Sequence, residues 1–270
     1  MGPRRRSCAR QEAWRDSSPH IEGRRFLLIP QRAPATYSRA SYALELRQDV
    51  ARRPRKCQYL PMRVLRPASE NEMVAEFLKA EFESTRWGPD YVKPNMARCG
   101  VTPAMLLDAD LTDADQNQRR HCLLATYRGW RGSAHLFQGW PDRLLWNLVA
   151  IGPKDVEHLR YADAGEWRRL SQDTWLPTIG ARRISEKDPT ILDEIPQDVI
   201  WKIAGRIQRG EPLPRTIAIG TSFGNPIIFV EGHARITAYL IAGIPDHLEI
   251  IYGATRLTLL KRWGFYPRAH

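Results

Sequence analysis

The stretch Pro226-Ile-Ile-Phe-Val-Glu231-Gly-His-Ala-Arg235-Ile-Thr-Ala-Tyr-Leu240 decides the fold. A short apolar, β-branched run leads straight into Glu231-Gly232-His233-Ala234-Arg235. Ile236, Tyr239 and Leu240 then recur at helical spacing, and Gly243 ends the pattern. The spacing predicts a buried strand that turns at a glycine into the first turn of a helix. A helix N-terminus carries amides without intrahelical partners and a partial positive charge, so it suits phosphate or another anion.

Working outward, Ile191–Gly210 reads as a helix. Ile195, Val199, Ile200, Ile203, Ala204 and Ile207 form its apolar stripe, Pro196 suits its first turn, and Gly210 and Pro212 stop it. Arg215–Ile219 and Ile227–Val230 read as paired strands around a turn at 220–225, Leu248–Tyr252 as a third strand and Leu257–Trp263 as a helix. Upstream, Ser69-Glu-Asn-Glu72 reads as a capping box opening a helix with Met73, Val74, Phe77, Leu78 and Phe82 on one face. Pro103–Leu107, Gln116–Tyr127 and Ala164–Leu170 read as helices, a short helix is expected before Trp146, and Val149–Gly152 reads as a brief strand. Residues 1–68 are rich in Arg, Pro and Ser without a sustained period and are expected to be disordered.

From about Ile184 to the end, the order helix, strand, strand, Glu-Gly-His-Ala-Arg, helix, strand resembles the ParB/sulfiredoxin superfamily of small α/β domains. The signature is most similar to the Asp-Gly-His-His-Arg type of its free-serine kinases. Glu231 takes the acidic place, Gly232, His233 and Arg235 match, and Ala234 replaces the second histidine. The place of His233 holds no cysteine, so sulfinic-acid reduction through a thiol is not implied. The double arginine of the CTP-binding partition proteins is also missing. Upstream, Asn117-x-Arg119, Tyr127-Arg-Gly-Trp130, Phe137-Gln-Gly-Trp-Pro141 and Trp167-x-x-Leu-Ser171-x-x-Thr174 resemble the front half of bacterial ParB-like proteins. Trp175 stands where those relatives are expected to carry an arginine; if that arginine touches a phosphate, this chain has lost the contact or makes it through Arg182 or Arg183. The expected architecture is α/β: a disordered basic tail over 1–68, a mostly helical region over 69–183 and a ParB/sulfiredoxin-like domain over 184–270.

What the resemblance implies is a nucleotide-phosphate-binding protein, in its active form an ATP- or ADP-dependent small-molecule kinase using magnesium. Gly232, His233, Arg235 and Thr237 would bind the nucleotide. Glu231 and His233 would be catalytic, and Glu231 would also hold the metal. The chemistry of the side chains fits these roles. An arginine fork clamps phosphate oxygens, a histidine moves a proton near neutral pH, and a carboxylate takes a proton or a hard cation. Each residue also has a structural reading: Glu231 as a partner of the helix dipole, His233 as a satisfied core histidine, Arg235 as a surface cation. Two rival functions stand beside the first, a ParB-like DNA-binding protein or nuclease and a non-catalytic interaction module on the same fold. Ser171, Thr174 and Arg182 form a second tier, with capping and turn hydroxyls as the plainer reading.

Bulk properties narrow the classes. Residues 1–60 hold 14 Arg and Lys against 5 Asp and Glu, whereas the remaining residues hold 27 against 25. The formal net charge of +11 therefore sits mostly in the first 60 residues. Nucleic acid is accordingly expected to bind only weakly, through that tail. Four cysteines, Cys8, Cys57, Cys99 and Cys122, lie far apart without a zinc spacing, so neither a metal knot nor a disulfide framework is expected and a cytoplasmic location fits. No apolar run approaches membrane-spanning length, so no membrane partner is expected. The nine tryptophans are expected mainly in the core.

Overall fold

The computed structural model describes residues 62–132, 134–191, 193–222 and 225–268. They form an α/β fold around one mixed sheet of six strands: β1 (Arg63–Pro67), β2 (Leu145–Ile151), β3 (Leu159–Tyr161), β4 (Thr216–Thr221), β5 (Ile227–Glu231) and β6 (Leu248–Thr255). Their spatial order is β1-β2-β6-β4-β5-β3. β4 runs antiparallel to β5 but parallel to β6, with Ile217 beside Ile251 and Ala218 beside both Phe229 and Tyr252. β3 runs parallel to β5, so both strands end on the same edge of the molecule.

Helices cover both faces. On one side lie α1 (Glu70–Glu83), α2 (Lys93–Met96), α3 (Pro103–Leu107) and α4 (Ala114–Arg128). Met73, Phe77 and Leu124 pack there with Trp146, Ile217, Ile219, Ile228 and Val230. On the other lie α5 (Gly165–Leu170), α6 (Pro177–Ser185), α7 (Gln197–Gln208) and α8 (His233–Ala242), whose Trp167, Ile184, Ile200 and Ile236 meet Ala218, Phe229, Ile250 and Tyr252. A last short helix, α9 (Leu257–Leu260), follows β6. A sheet covered twice needs apolar residues pointing both ways. That is why β4 and β5 read as unbroken hydrophobic runs rather than alternating ones.

Three expectations change. The region over 69–183 supplies β2 and β3, which pair with β6 and β5, so the expected boundary at 183/184 falls inside one sheet. The expected tail over 1–68 is too long: Arg63–Pro67 is strand β1, hydrogen-bonded along β2, and the rest of that tail lies outside the described residues. Cys99 and Cys122 are joined by a disulfide with Cα atoms 5.8 Å apart, against the reading that excluded one. The bond ties the turn after α2 to α4, two segments that sequence spacing alone does not bring together.

Smaller differences have local causes. Ser69 caps α1 by accepting the Glu72 N–H, but the Glu72 carboxylate turns to Arg66 on β1 at 2.6 and 2.9 Å instead of closing the box. α7 begins at Gln197, because a residue before proline is barred from helical backbone and Ile195 precedes Pro196. The short helix expected between the Gly139-Trp-Pro turn and Trp146 does not form: a 3-10 turn over His135–Phe137 precedes that turn, and β2 begins at Leu145. The tryptophans of this part pack edge to face, Trp130 on Phe137 at 4.6 Å and Trp140 on Trp263 at 5.4 Å. Among the described residues no helix is long and apolar enough to cross a membrane.

Candidate functional site

The Glu-Gly-His-Ala-Arg turn sits where β5 ends beside the end of β3, at the carboxyl edge of two parallel strands, the usual place for a ligand crevice in such sheets. Gly232 makes the turn in left-handed backbone, φ 94°. A Cβ there would lie 2.5 Å from the Thr216 methyl, so both the backbone and the packing require glycine. α8 starts at His233 with no side-chain cap, and its first intrahelical bond runs from the Ile236 N–H to the Gly232 carbonyl at 2.9 Å. The amides before it point out of the helix end.

They border a cavity of about 590 Å³, within the size range of small-molecule sites. Glu231, Gly232, His233, Ala234 and Arg235 all line it. Its walls also carry Trp87, Trp167 and Phe265. Its five basic side chains are each paired with a carboxylate, Arg86 with Glu166, Arg128 with Glu81, Lys202 with Asp198, Arg206 with Glu211 and Arg235 with Glu231, so the feature that favours an anionic ligand is the positive end of α8.

The sequence-predicted residues divide by what they already hold. Arg235 is only 7% exposed. Its Nη1 donates to the carbonyls of Pro214 at 2.5 Å and Arg215 at 3.3 Å, while Nη2 pairs with the Glu231 carboxylate. Burial lowers its pKa to about 10, which leaves it charged at neutral pH. The pair ties the end of β5, the start of α8 and the segment before β4 into one knot. His233 lies between Trp167, stacked at 5.3 Å, and Tyr161 at 5.6 Å, and its Nε2 accepts the Ala162 N–H at 3.3 Å. Burial, helped by the charge of Arg128, lowers its pKa to about 3, so the ring is neutral with its proton on Nδ1. Thr237 is fully buried, donating to the His233 carbonyl at 2.7 Å and sharing a 2.5 Å hydrogen bond with the Tyr161 hydroxyl. It belongs to the support of the turn and does not line the cavity.

The second tier is structural. The Ser171 hydroxyl donates to the Trp167 and Arg168 carbonyls at 2.9 and 3.0 Å, and Thr174 donates to the Ser171 carbonyl at 2.6 Å. Arg182 is exposed and lines neither this cavity nor the smaller one beside α5. Arg183 is buried, holding Asp188, Thr190 and the Arg169 and Leu170 carbonyls. Among the described residues no group of three or more His, Cys, Asp or Glu side chains is placed to hold a metal. Glu231 is ion-paired with Arg235.

Sequence reasoning missed a second group of residues that line the cavity. Among them Arg128, the last residue of α4, lies flat over Trp87 with its guanidinium carbon 3.6 Å from the ring centroid. It pairs with Glu81, which is 2% exposed and also accepts the Tyr127 hydroxyl at 2.5 Å. Burial and the neighbouring carboxylate raise the Tyr127 pKa, keeping that hydroxyl a donor. The available signal was Tyr127-Arg-Gly-Trp130, where an arginine precedes the glycine that ends a helix.

The chain matches no family model, no curated protein and no solved structure.

Proposed function

We propose that this protein binds a nucleotide or a closely similar phosphate-bearing small molecule in the cavity at the start of α8. One observation carries the reading: an uncapped helix N-terminus, entered through a left-handed glycine, opens into an aromatic-walled cavity. The phosphate would meet the α8 amides, and the flat faces of the wall suit a base. The order α7, β4, β5, signature, α8, β6 supports membership of the ParB/sulfiredoxin superfamily.

Binding is better supported than phosphoryl transfer. A kinase of this type needs a free acid or base and a metal site at the turn. Here Glu231 is held by Arg235, and His233 is neutral and wedged between aromatic rings. The same facts favour the second reading, a ParB-like interaction module without chemistry. A DNA-binding or nuclease role has the least support, since residues 61–270 are almost neutral overall.

The test is calorimetric titration of the full chain with ATP, ADP, CTP, GTP and inorganic phosphate, with and without magnesium. Saturable binding of at least one nucleotide is expected. No binding by any of them would remove the nucleotide reading and leave the interaction module.

A further inference from the structure

The turn's own arginine is spent on carbonyls and on Glu231, so a ligand's charge must be read by another group. Arg128 also lines the cavity and is prepared for that task. Glu81 engages one edge of its guanidinium, receiving Nε at 3.3 Å and also Nη2. Trp87 fixes the plane from one side at 3.6 Å. A guanidinium has two edges able to grip an oxyanion, and only the Nε edge is occupied by Glu81. The outer edge, carrying Nη1, belongs to a side chain that lines the cavity. The Tyr127 hydroxyl donates to Glu81 Oε2, the same oxygen that receives Nε, so the carboxylate keeps the fork in place. The charge also reaches the first residue of α8, where it helps hold the His233 ring neutral.

We propose that Arg128 is the residue that binds the ligand's phosphate, gripping it with its outer edge against the α8 amides, while Arg235 serves only the architecture of the turn. This assignment rests on the phosphate-binding reading of the cavity. It also narrows the ligand: the cavity selects for a terminal phosphate over the uncharged nucleoside.

The test compares ADP with adenosine on the full chain and two variants. In Arg128→Ala, affinity for ADP is expected to fall at least tenfold, with adenosine binding unchanged. Because that variant leaves Glu81 buried and unpaired, the double variant Glu81→Gln/Arg128→Gln removes both charges together and keeps an acceptor for Tyr127. It should show the same selective loss. ADP affinity equal to the wild type in a folded variant would overturn the role of Arg128 while leaving the site intact. An equal loss for adenosine would also overturn it, showing that Arg128 shapes the wall instead of reading charge. Failure of the wild-type chain to bind ADP, ATP or inorganic phosphate would remove the site reading and this assignment with it.

Discussion

Glu231 and Arg235, one helical turn apart on either side of Gly232, form an ion pair that closes the loop between β5 and α8 from within. The arginine reaches past its partner to the Pro214 and Arg215 carbonyls, so three chain segments depend on one side chain. A pair buried this deeply is a poor ligand clamp, since freeing the guanidinium would strand a carboxylate away from water.

Arg235→Ala is therefore expected to unsettle the fold before it touches any ligand. Removing one partner of a buried pair costs about 3–5 kcal/mol. The expected result is a loss of that order in urea unfolding, with Arg235→Lys recovering part of it. Glu231→Gln/Arg235→Met should be milder than Arg235→Ala, because neither charge remains. Unchanged stability in Arg235→Ala would show that the pair is not what holds the turn.

Gly232 is expected to reject alanine twice over. The backbone sits at φ 94°, and the added methyl would meet the Thr216 side chain at 2.5 Å. Left-handed backbone alone costs about 1–2 kcal/mol for an L-residue. Gly232→Ala should lose more than that, and adding Thr216→Ser should restore the steric part only. A Gly232→Ala protein with the wild-type melting temperature would refute the account.

Much of the fold was legible because apolar runs and punctuation agreed. Pro103–Leu107 and the β5-Gly232-α8 turn coincide closely with the observed elements, and Pro196 and Gly243 mark real ends. β1 was not legible. Arg63-Val-Leu-Arg-Pro67 is an exposed strand whose apolar residues point nowhere apolar, and its place is set by pairing with β2, some eighty residues away. β3 is three residues long and owes its existence to β5. At the site, the sequence gathered Glu231, His233 and Arg235 by their proximity in the chain. It could not tell that the first and last satisfy each other, or that Arg128 and Trp87 arrive from α4 and from the turn after α1. Such pairings are long-range and leave no local period.

The Cys99–Cys122 disulfide is expected to matter for stability more than for the cavity. It closes a loop of sequence separation 23. The chain-entropy account gives about 3 kcal/mol for a loop of that size. Cys99→Ser/Cys122→Ser, or the wild type in reductant, should melt several degrees lower, and mass analysis under non-reducing conditions should find both thiols blocked. Free thiols at Cys99 and Cys122 in the native protein, or an unchanged melting temperature on reduction, would count against the bond.

The last expected outcome concerns pH and His233. Its folded pKa is depressed to about 3 by burial and by Arg128, whereas an unfolded histidine titrates near 6.5. Between those values the unfolded chain binds the proton more readily than the folded one. Stability should therefore be fully present above pH about 6.5 and fall as the pH drops toward 3, by at most about 1.4 kcal/mol per pH unit from this group. Asp155 works the other way, since burial raises its pKa and favours the folded protein in acid. The contribution of His233 must therefore be isolated by difference. His233→Gln keeps a polar group beside the Ala162 N–H and removes the titration. Urea unfolding of both proteins at pH 4, 5, 6 and 7 should show the wild type losing stability faster than the variant below pH 6.5. Parallel curves would mean that His233 takes up its proton as easily folded as unfolded, and the neutral, wedged imidazole would have to be abandoned.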